Sequence, residues 1–224
     1  MCGRFTQHAD ADTVARYFEL AAVPALTPRY NVAPTQPVLA VRINDSGQRE
    51  LTALRWGLVP SWSKGPDNRY SMINARAETV ATKPAYRAAF ARRRCLIPAD
   101  AFYEWRATAD GKVPHAIRRE DQEPFAMSGL WEHCIGPDGS EIDSCTIIVT
   151  DANALLAPIH DRMPVILDAA DYGTWLDPSN EDKAALQSML RPTEPPGWTA
   201  YAVSRAVNSP RNDSPALLEP AASG

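Results

Sequence analysis

Short apolar and β-branched runs, each ended by residues that favour turns, recur through this 224-residue chain, and that rhythm limits the fold more than any other feature. Pro37–Ile43 and residues 50–56 read as two strands joined by Asn44-Asp45-Ser46-Gly47, a hairpin connection. Further strands are expected at residues 2–6, 95–98, 101–105, 115–118, 125–133, 144–150, 163–167 and 200–204. Helical patterns interrupt them irregularly. Residues 12–20 put Val14, Tyr17 and Phe18 on one face with Asp10 or Asp12 as cap; residues 84–94 carry Pro84 in a first turn, with Ala85, Ala88, Ala89 and Phe90 available for packing; helices are also expected at 169–176 and 181–190. Many strands with scattered helices predict an α+β domain built on a mixed or antiparallel curved sheet with peripheral helices. With 45% hydrophobic and 22% charged residues the chain resembles an ordinary globular protein, and its length suits one core, expected over residues 2–220 with a loose tail at 221–224.

Composition also narrows the function. No apolar run reaches membrane-spanning length and no basic-then-apolar leader opens the chain, so a cytoplasmic protein without a membrane partner is expected. Cys2, Cys95, Cys134 and Cys145 are widely spaced without a C-x-x-C, as free thiols of a reducing compartment would be. His133-Cys134 with Cys145 has the wrong spacing for zinc, so no metal is expected. The absence of G-x-G-x-x-G and Walker patterns leaves no nucleotide cofactor implied. The net charge is −4, but residues 1–105 hold 14 Lys/Arg against 9 Asp/Glu while residues 106–224 hold 9 against 18. That basic half either attracts a polyanion or spreads its charges over a solvated surface.

Cys2 is the first candidate for chemistry. Its small side chain permits removal of Met1, which would leave a free amine and a thiol on one residue, both with usable reactivity near neutral pH. Toward an aldehyde such a pair forms a Schiff base and then closes a five-membered thiazolidine; the alternative is a small residue near a chain end. Asn74 and Arg76, two apart on a strand, would share a face and bring an orienting amide beside a phosphate-gripping guanidinium, or they are a turn Asn and a surface Arg. Glu104, in Phe102-Tyr103-Glu104-Trp105, is either desolvated by its aromatic neighbours into a proton carrier or faces solvent. His160 sits in Ile159-His160-Asp161, a loop proton carrier or a surface histidine beside an acid. In Arg55-Trp56-Gly57-Leu58-Val59-Pro60-Ser61-Trp62-Ser63-Lys64, Trp56 reads as core, and Trp62 as either a stacking wedge for single-stranded nucleic acid or a second buried ring.

The stretches MCGRF, RYNVAPTQ, WGLVPSW, SMINARAET, RRRCLIPADAFYEW, SGLWE, TIIVTDAN, IHDRMPVIL and VNSPRNDSPALLEP, taken in order across nearly the whole chain, resemble the SRAP (SOS-response-associated peptidase) family of abasic-site processing proteins. The resemblance implies one α+β domain that binds single-stranded DNA and captures abasic sites covalently through Cys2 as the mature N-terminus, without cofactor or metal and as a monomer, in the cytoplasm and at the nucleoid during DNA damage. By that similarity Cys2, Asn74, Glu104 and His160 are catalytic, Arg4, Arg76 and Arg162 contact phosphates, and Asn31, Pro34 and Trp62 shape the DNA channel. Residues 106–113 are read as a loop outside residue-level correspondence. Two other classes remain open: a peptidase or amidohydrolase using Cys2 as an N-terminal nucleophile, in general or only to release Met1, and a noncatalytic single-strand-binding module.

Overall fold

The computed structural model describes residues 2–65, 72–192 and 197–221. Thirteen strands run in the order β1 Arg4–Gln7, β2 Arg29–Val32, β3 Pro37–Ile43, β4 Arg49–Trp56, β5 Asn74–Arg76, β6 Arg94–Ala99, β7 Ala101–Thr108, β8 Gly111–Arg119, β9 Phe125–Ile135, β10 Glu141–Asp151, β11 Arg162–Pro164, β12 Ile166–Leu167 and β13 Trp198–Ala202. Four short helices accompany them: α1 Ala11–Phe18, α2 Arg87–Arg92, α3 Tyr172–Leu176 and α4 Lys183–Ser188. None of these helices is long and apolar enough to cross a membrane.

Five strands close on themselves. The path β4-β3-β6-β9 is antiparallel throughout, β9 pairs antiparallel with β10, and β10 returns to β4 in parallel register at Ser144↔Arg55 and Cys145↔Trp56. Closure removes the unpaired edges that an open sheet exposes. Against this small barrel lies a second, five-stranded sheet in the order β13-β8-β7-β1-β2. Alternation of side chains sorts the core. Odd-numbered Cys95, Ile97, Cys145 and Ile147 share a cluster with Phe5, Phe102 and Ile117 of the second sheet, and Phe5 meets Trp56 edge-on at 5.0 Å between ring centres. Even-numbered Leu96 and Ile148 pack instead under Val14, Phe18, Phe90, Trp175 and Leu186. A third cluster, on Tyr103 and Ala116, is covered by Val203, Val207 and Leu217 of the chain's last segment, residues 203–220, which acts as a strap over the five-stranded sheet.

The α+β expectation of a curved mixed sheet with peripheral helices holds, with strands dominating. The first hairpin follows the sequence closely: β3 spans the expected residues, and the Asn44 side-chain oxygen accepts from the N–H groups of Ser46 and Gln48 at 3.0 and 2.9 Å. Asp10 caps α1, accepting from Thr13 N–H at 2.8 Å. Other boundaries moved. The helix expected over 84–94 begins only at Arg87, because Lys83 to Tyr86 form a turn and Arg94 already belongs to β6; Ala88 is exposed, while Ala89 and Phe90 supply the buried contacts. The strand expected over 163–167 divides at Val165, with β11 pairing β10 and β12 pairing β9. Residues 106–113 are no loop. They complete a hairpin in which Arg106 faces Val113 and Thr108 faces Gly111, and their exposure on both faces leaves no alternating pattern to read. Ala221, expected to begin a loose tail, donates to Ala202 O at 2.8 Å; the rest of that tail, residues 222–224, falls outside the described residues, as do Met1 and Ser71 of the quoted stretches.

Candidate active site

Cys2 is fully enclosed, at the start of the chain's path into β1. Strand β1 pairs with β7 at Arg4↔Tyr103, and continuing that register carries Cys2 to the level of Glu104 and Trp105. The thiol is pushed well above its ordinary range, first by burial and then by the negative charge of Glu104. Asn74 reaches the same residue from the barrel: its Nδ2 donates to Cys2 O at 2.9 Å, while its Oδ1 is enclosed and has no partner among the described residues. The reason Asn74 stands there is local. β4 and β5 both run parallel to β10; the chain leaves β4 at Gly57, whose φ of +124° suits glycine, whose N–H bonds to Cys145 O at 2.8 Å, and where a Cβ would lie 3.0 Å from the Arg55 guanidinium. The chain then returns as β5 along β10, with Asn74 opposite Ile147 and Trp56 Nε1 donating to Ile73 O at 2.9 Å. On β5 the side chain of Ala75 is buried between a half-buried Asn74 and an exposed Arg76, as two-residue spacing requires.

Glu104 on β7 is 2% exposed, and burial raises its pKa against the opposing pull of His160. The His160 ring lies 3.9 Å from it through Nε2. His160 closes the turn after β10, with its N–H bonded to Leu156 O at 2.9 Å. Its Nδ1 receives the N–H of Arg162 at 3.0 Å and also lies 2.9 Å from the Asp161 carboxylate. The two contacts ask for opposite tautomers. The backbone donor is fixed, whereas the Asp161 side chain is 85% exposed and screened by water, so Nδ1 is assigned as acceptor and the ring proton goes to Nε2, toward Glu104. Glu104 and His160 line an open cleft of about 490 Å3 with Trp105, Lys112 and Asn208.

The arginines divide into two groups. Arg76 on β5 and Arg162 on β11 flank the end of β10, opposite Val149 and Asp151. Arg162 is held by Glu78 and, at 3.2 Å, by Asp151; Arg76 is exposed. Trp62 is 70% exposed and Pro34 half-buried, whereas Trp56 is wholly enclosed. Arg4 and Asn31 bond to each other and to the chain's last segment: Arg4 Nη1 donates to Asn31 Oδ1 at 2.9 Å and Val207 O at 2.8 Å, and Nη2 to Asn208 O at 3.2 Å. Asn31 is buried, its Nδ2 directed at the carbonyls of Val207, Ser209 and Asn212. Both side chains fasten the strap.

Comparison with known proteins gives the family. Residues 1–210 match the family described as SOS response associated peptidase (SRAP). The chain belongs to the SRAP family. It is 45% identical to Abasic site processing protein YoqW of Bacillus subtilis, over 98% of this chain and 99% of that one, and 34% identical to Abasic site processing protein HMCES of Gallus gallus, over 86% and 66%. An X-ray crystal structure of a protein from Bacteroides thetaiotaomicron superposes with a TM-score of 0.85 at 28% identity, covering 99% of this chain and 100% of the other.

Of the four expected catalytic positions in this SRAP chain, Glu104 and His160 line the cleft, Asn74 bonds to Cys2 O, and the charge of Glu104 acts on the Cys2 thiol. Three liners, Trp105, Lys112 and Asn208, escaped the sequence reading. Asn208 lay in the quoted stretch VNSPRNDSPALLEP without a role, and Lys112 lay in the hairpin taken for a loop. The signal that could have found Lys112 is the Gly111 turn, which predicts a strand returning beside β7.

Proposed function

We propose that this SRAP protein captures abasic sites in single-stranded DNA as a thiazolidine, formed by the amine and thiol of Cys2 after Met1 is removed. Its relatives, named abasic site processing proteins, support the substrate. The observation that carries the chemistry is the 2.9 Å bond from Asn74 to Cys2 O, which anchors Cys2 where Glu104 acts on its thiol, at a cleft that also holds His160.

Removal of Met1 by hydrolysis converts the Cys2 nitrogen from an amide into a nucleophilic amine, and the unoccupied Oδ1 of Asn74 is the acceptor that would orient it. An abasic sugar reacts only as its open aldehyde. As the ring opens, the bond from the anomeric carbon to the ring oxygen breaks, the anomeric hydroxyl gives its proton to the Glu104 carboxylate, and the ring oxygen takes the Nε2 proton of His160, which Glu104 replaces across their 3.9 Å contact. The amine adds to the aldehyde carbon; Glu104, whose raised pKa lets it carry a proton nearer neutrality, passes the amine's two protons in turn to the former aldehyde oxygen, which departs as water and leaves an imine. The thiol, kept neutral by burial, then adds across the imine: a C–S bond forms and the sulfur's proton ends on nitrogen, with no net oxidation. An imine left open would acidify the neighbouring carbon and permit β-elimination of the strand. Ring closure removes that path. Arg76, Arg162, Trp62 and Pro34 form the proposed surface for the flanking strand, phosphates on the cations and a base on the exposed indole.

Cys2→Ala is expected to reduce the denaturation-resistant adduct with abasic single-stranded DNA to background while much of the noncovalent affinity survives. Intact mass spectrometry reads both the adduct and the loss of Met1. An adduct that persists in Cys2→Ala overturns the proposal, and peptide cleavage without any adduct would return the site to the peptidase reading.

A further inference from the structure

Glu104 and His160 account for two of the five cleft-lining residues, and the rest of the wall is Trp105, Lys112 and Asn208. The Trp105 indole Nε1 donates to Asn208 Oδ1 at 2.8 Å. Because an indole nitrogen only donates, this contact fixes which end of the amide it meets, and Nδ2, a donor, is the end left over. The residue is held from behind as well. Arg4 Nη2 donates to its carbonyl at 3.2 Å, Arg4 Nη1 to the preceding carbonyl at 2.8 Å, and Val207 is fully buried against Tyr103. An exposed asparagine is thus seated at one position on the cleft wall without using its donor.

Lys112 contributes the second group. It stands on β8 opposite Ala107, exposed, with no ion pair among the described residues. A cation and an amide donor with nothing to bind, beside a carboxylate, form a wall suited to an anion that would otherwise be repelled by Glu104. Of the chemical groups in a DNA strand only the phosphodiester is anionic. The cleft, at about 490 Å3, holds many times the roughly 30 Å3 share of one water. We propose that Lys112 and Asn208 together form the subsite for a phosphodiester adjoining the trapped sugar, Lys112 supplying charge and Asn208 the directed hydrogen bond. This rests on the abasic-DNA reading of the cleft.

The test uses single-stranded DNA carrying a tetrahydrofuran residue, which lacks the aldehyde and so reports binding without crosslinking. Lys112→Ala is expected to weaken binding and to lower the slope of log K against log salt by about 0.7, the counterion release for one single-strand phosphate. Asn208→Asp keeps an oxygen for Trp105, so it preserves the strap, and replaces the donor by a charged acceptor that repels a phosphodiester, so it is expected to cost about tenfold in affinity at low salt. Lys183→Ala, on α4, should match the wild type. A wild-type slope in Lys112→Ala, wild-type affinity in Asn208→Asp, or no binding of this DNA by the unmodified protein overturns the subsite. The expected pattern in a protein that forms no adduct with aldehyde-bearing DNA would instead sink the crosslinking reading and leave the subsite standing.

Discussion

Two arginines perform the same task in opposite halves of the molecule, and what surrounds them differs. Arg94 is 2% exposed; its Nε donates to Trp175 O at 2.6 Å and its Nη1 to Phe90 O and Ala91 O at 2.7 and 2.6 Å, with Nη2 on Asp177 O. It thereby pins the end of α2, and α3 beyond it, onto the barrel under a fully apolar cluster. Two of its acceptors are orphan carbonyls at the end of α2, where a positive charge is favourable. Arg4 likewise spends its donors on distant carbonyls, but half-buried, with the strap's Asn208 beyond it in the open cleft. The helical side uses a guanidinium to finish a core. The other side uses one to hold a surface segment in place beside an open cleft.

The sharpest way to break this comparison is to remove each guanidinium in turn. Arg94→Met leaves several enclosed carbonyls without donors at about 1–3 kcal/mol each, so a loss of about 3–5 kcal/mol is expected. At about 2–4 °C per kcal/mol for a chain of this size, Tm should fall by about 6–20 °C in thermal unfolding followed by circular dichroism. A fall of under a few degrees would mean the helical layer needs no such lock.

Arg4→Met should cost less stability, about 1–2 kcal/mol, because water can reach the strap's carbonyls. Its larger effect should be on abasic-strand affinity, and salt dependence separates two ways of producing it. If Arg4 acts through the strap, affinity drops with an unchanged salt slope; if it neutralises a phosphate directly, the slope falls by about 0.7. We expect the first. The second would show that Arg4 leaves Val207 and Asn208 when DNA arrives, and would dissolve the distinction between the two arginines.

The unequal fates of neighbouring arginines also show what a sequence conceals. Arg92, Arg93 and Arg94 are consecutive, yet Arg92 is exposed beside Glu181, Arg93 pairs with Glu132 at 2.6 Å, and Arg94 is enclosed. The sequence does not distinguish them, since beside the nearby carbonyls of Phe90 and Ala91 the enclosing acceptors of Arg94, on Trp175 and Asp177, come from another part of the chain. Strands such as β3 were legible because an apolar run bounded by turn residues is a local signal, and the shared face of Asn74 and Arg76 followed from two-residue spacing. The aromatic neighbours of Glu104 left desolvation and a solvent-facing role both open, and its enclosure in β7 decides for the first. Asn208 announced nothing, because its place depends on Trp105 and Arg4, which meet it only after the strap has crossed the five-stranded sheet. Helix ends were misjudged for a related reason: packing against the barrel, rather than propensity, decides where these short segments stop.

Glu104 gives the smallest effect and tests whether the cleft side gives up stability for chemistry. Burial is the main cause of its raised pKa, so the folded protein binds that proton more tightly than the unfolded chain does. The sign follows. Below the ordinary glutamate range, near pKa 4.3, the group is protonated in both states and costs nothing; as pH rises through the raised folded value the cost of a desolvated carboxylate develops in full. Glu104→Gln removes that cost, so its Tm should exceed that of the wild type at pH 7 by about 2–4 °C for each kcal/mol relieved, and the advantage should vanish as pH falls below about 4. Crosslinking by the same variant should slow at every pH, since an amide cannot carry the proton. A Gln variant less stable than the wild type at pH 7 would mean that the pairing of Glu104 with His160 outweighs its burial, and the carboxylate would then hold this side of the fold together much as Arg94 holds the other.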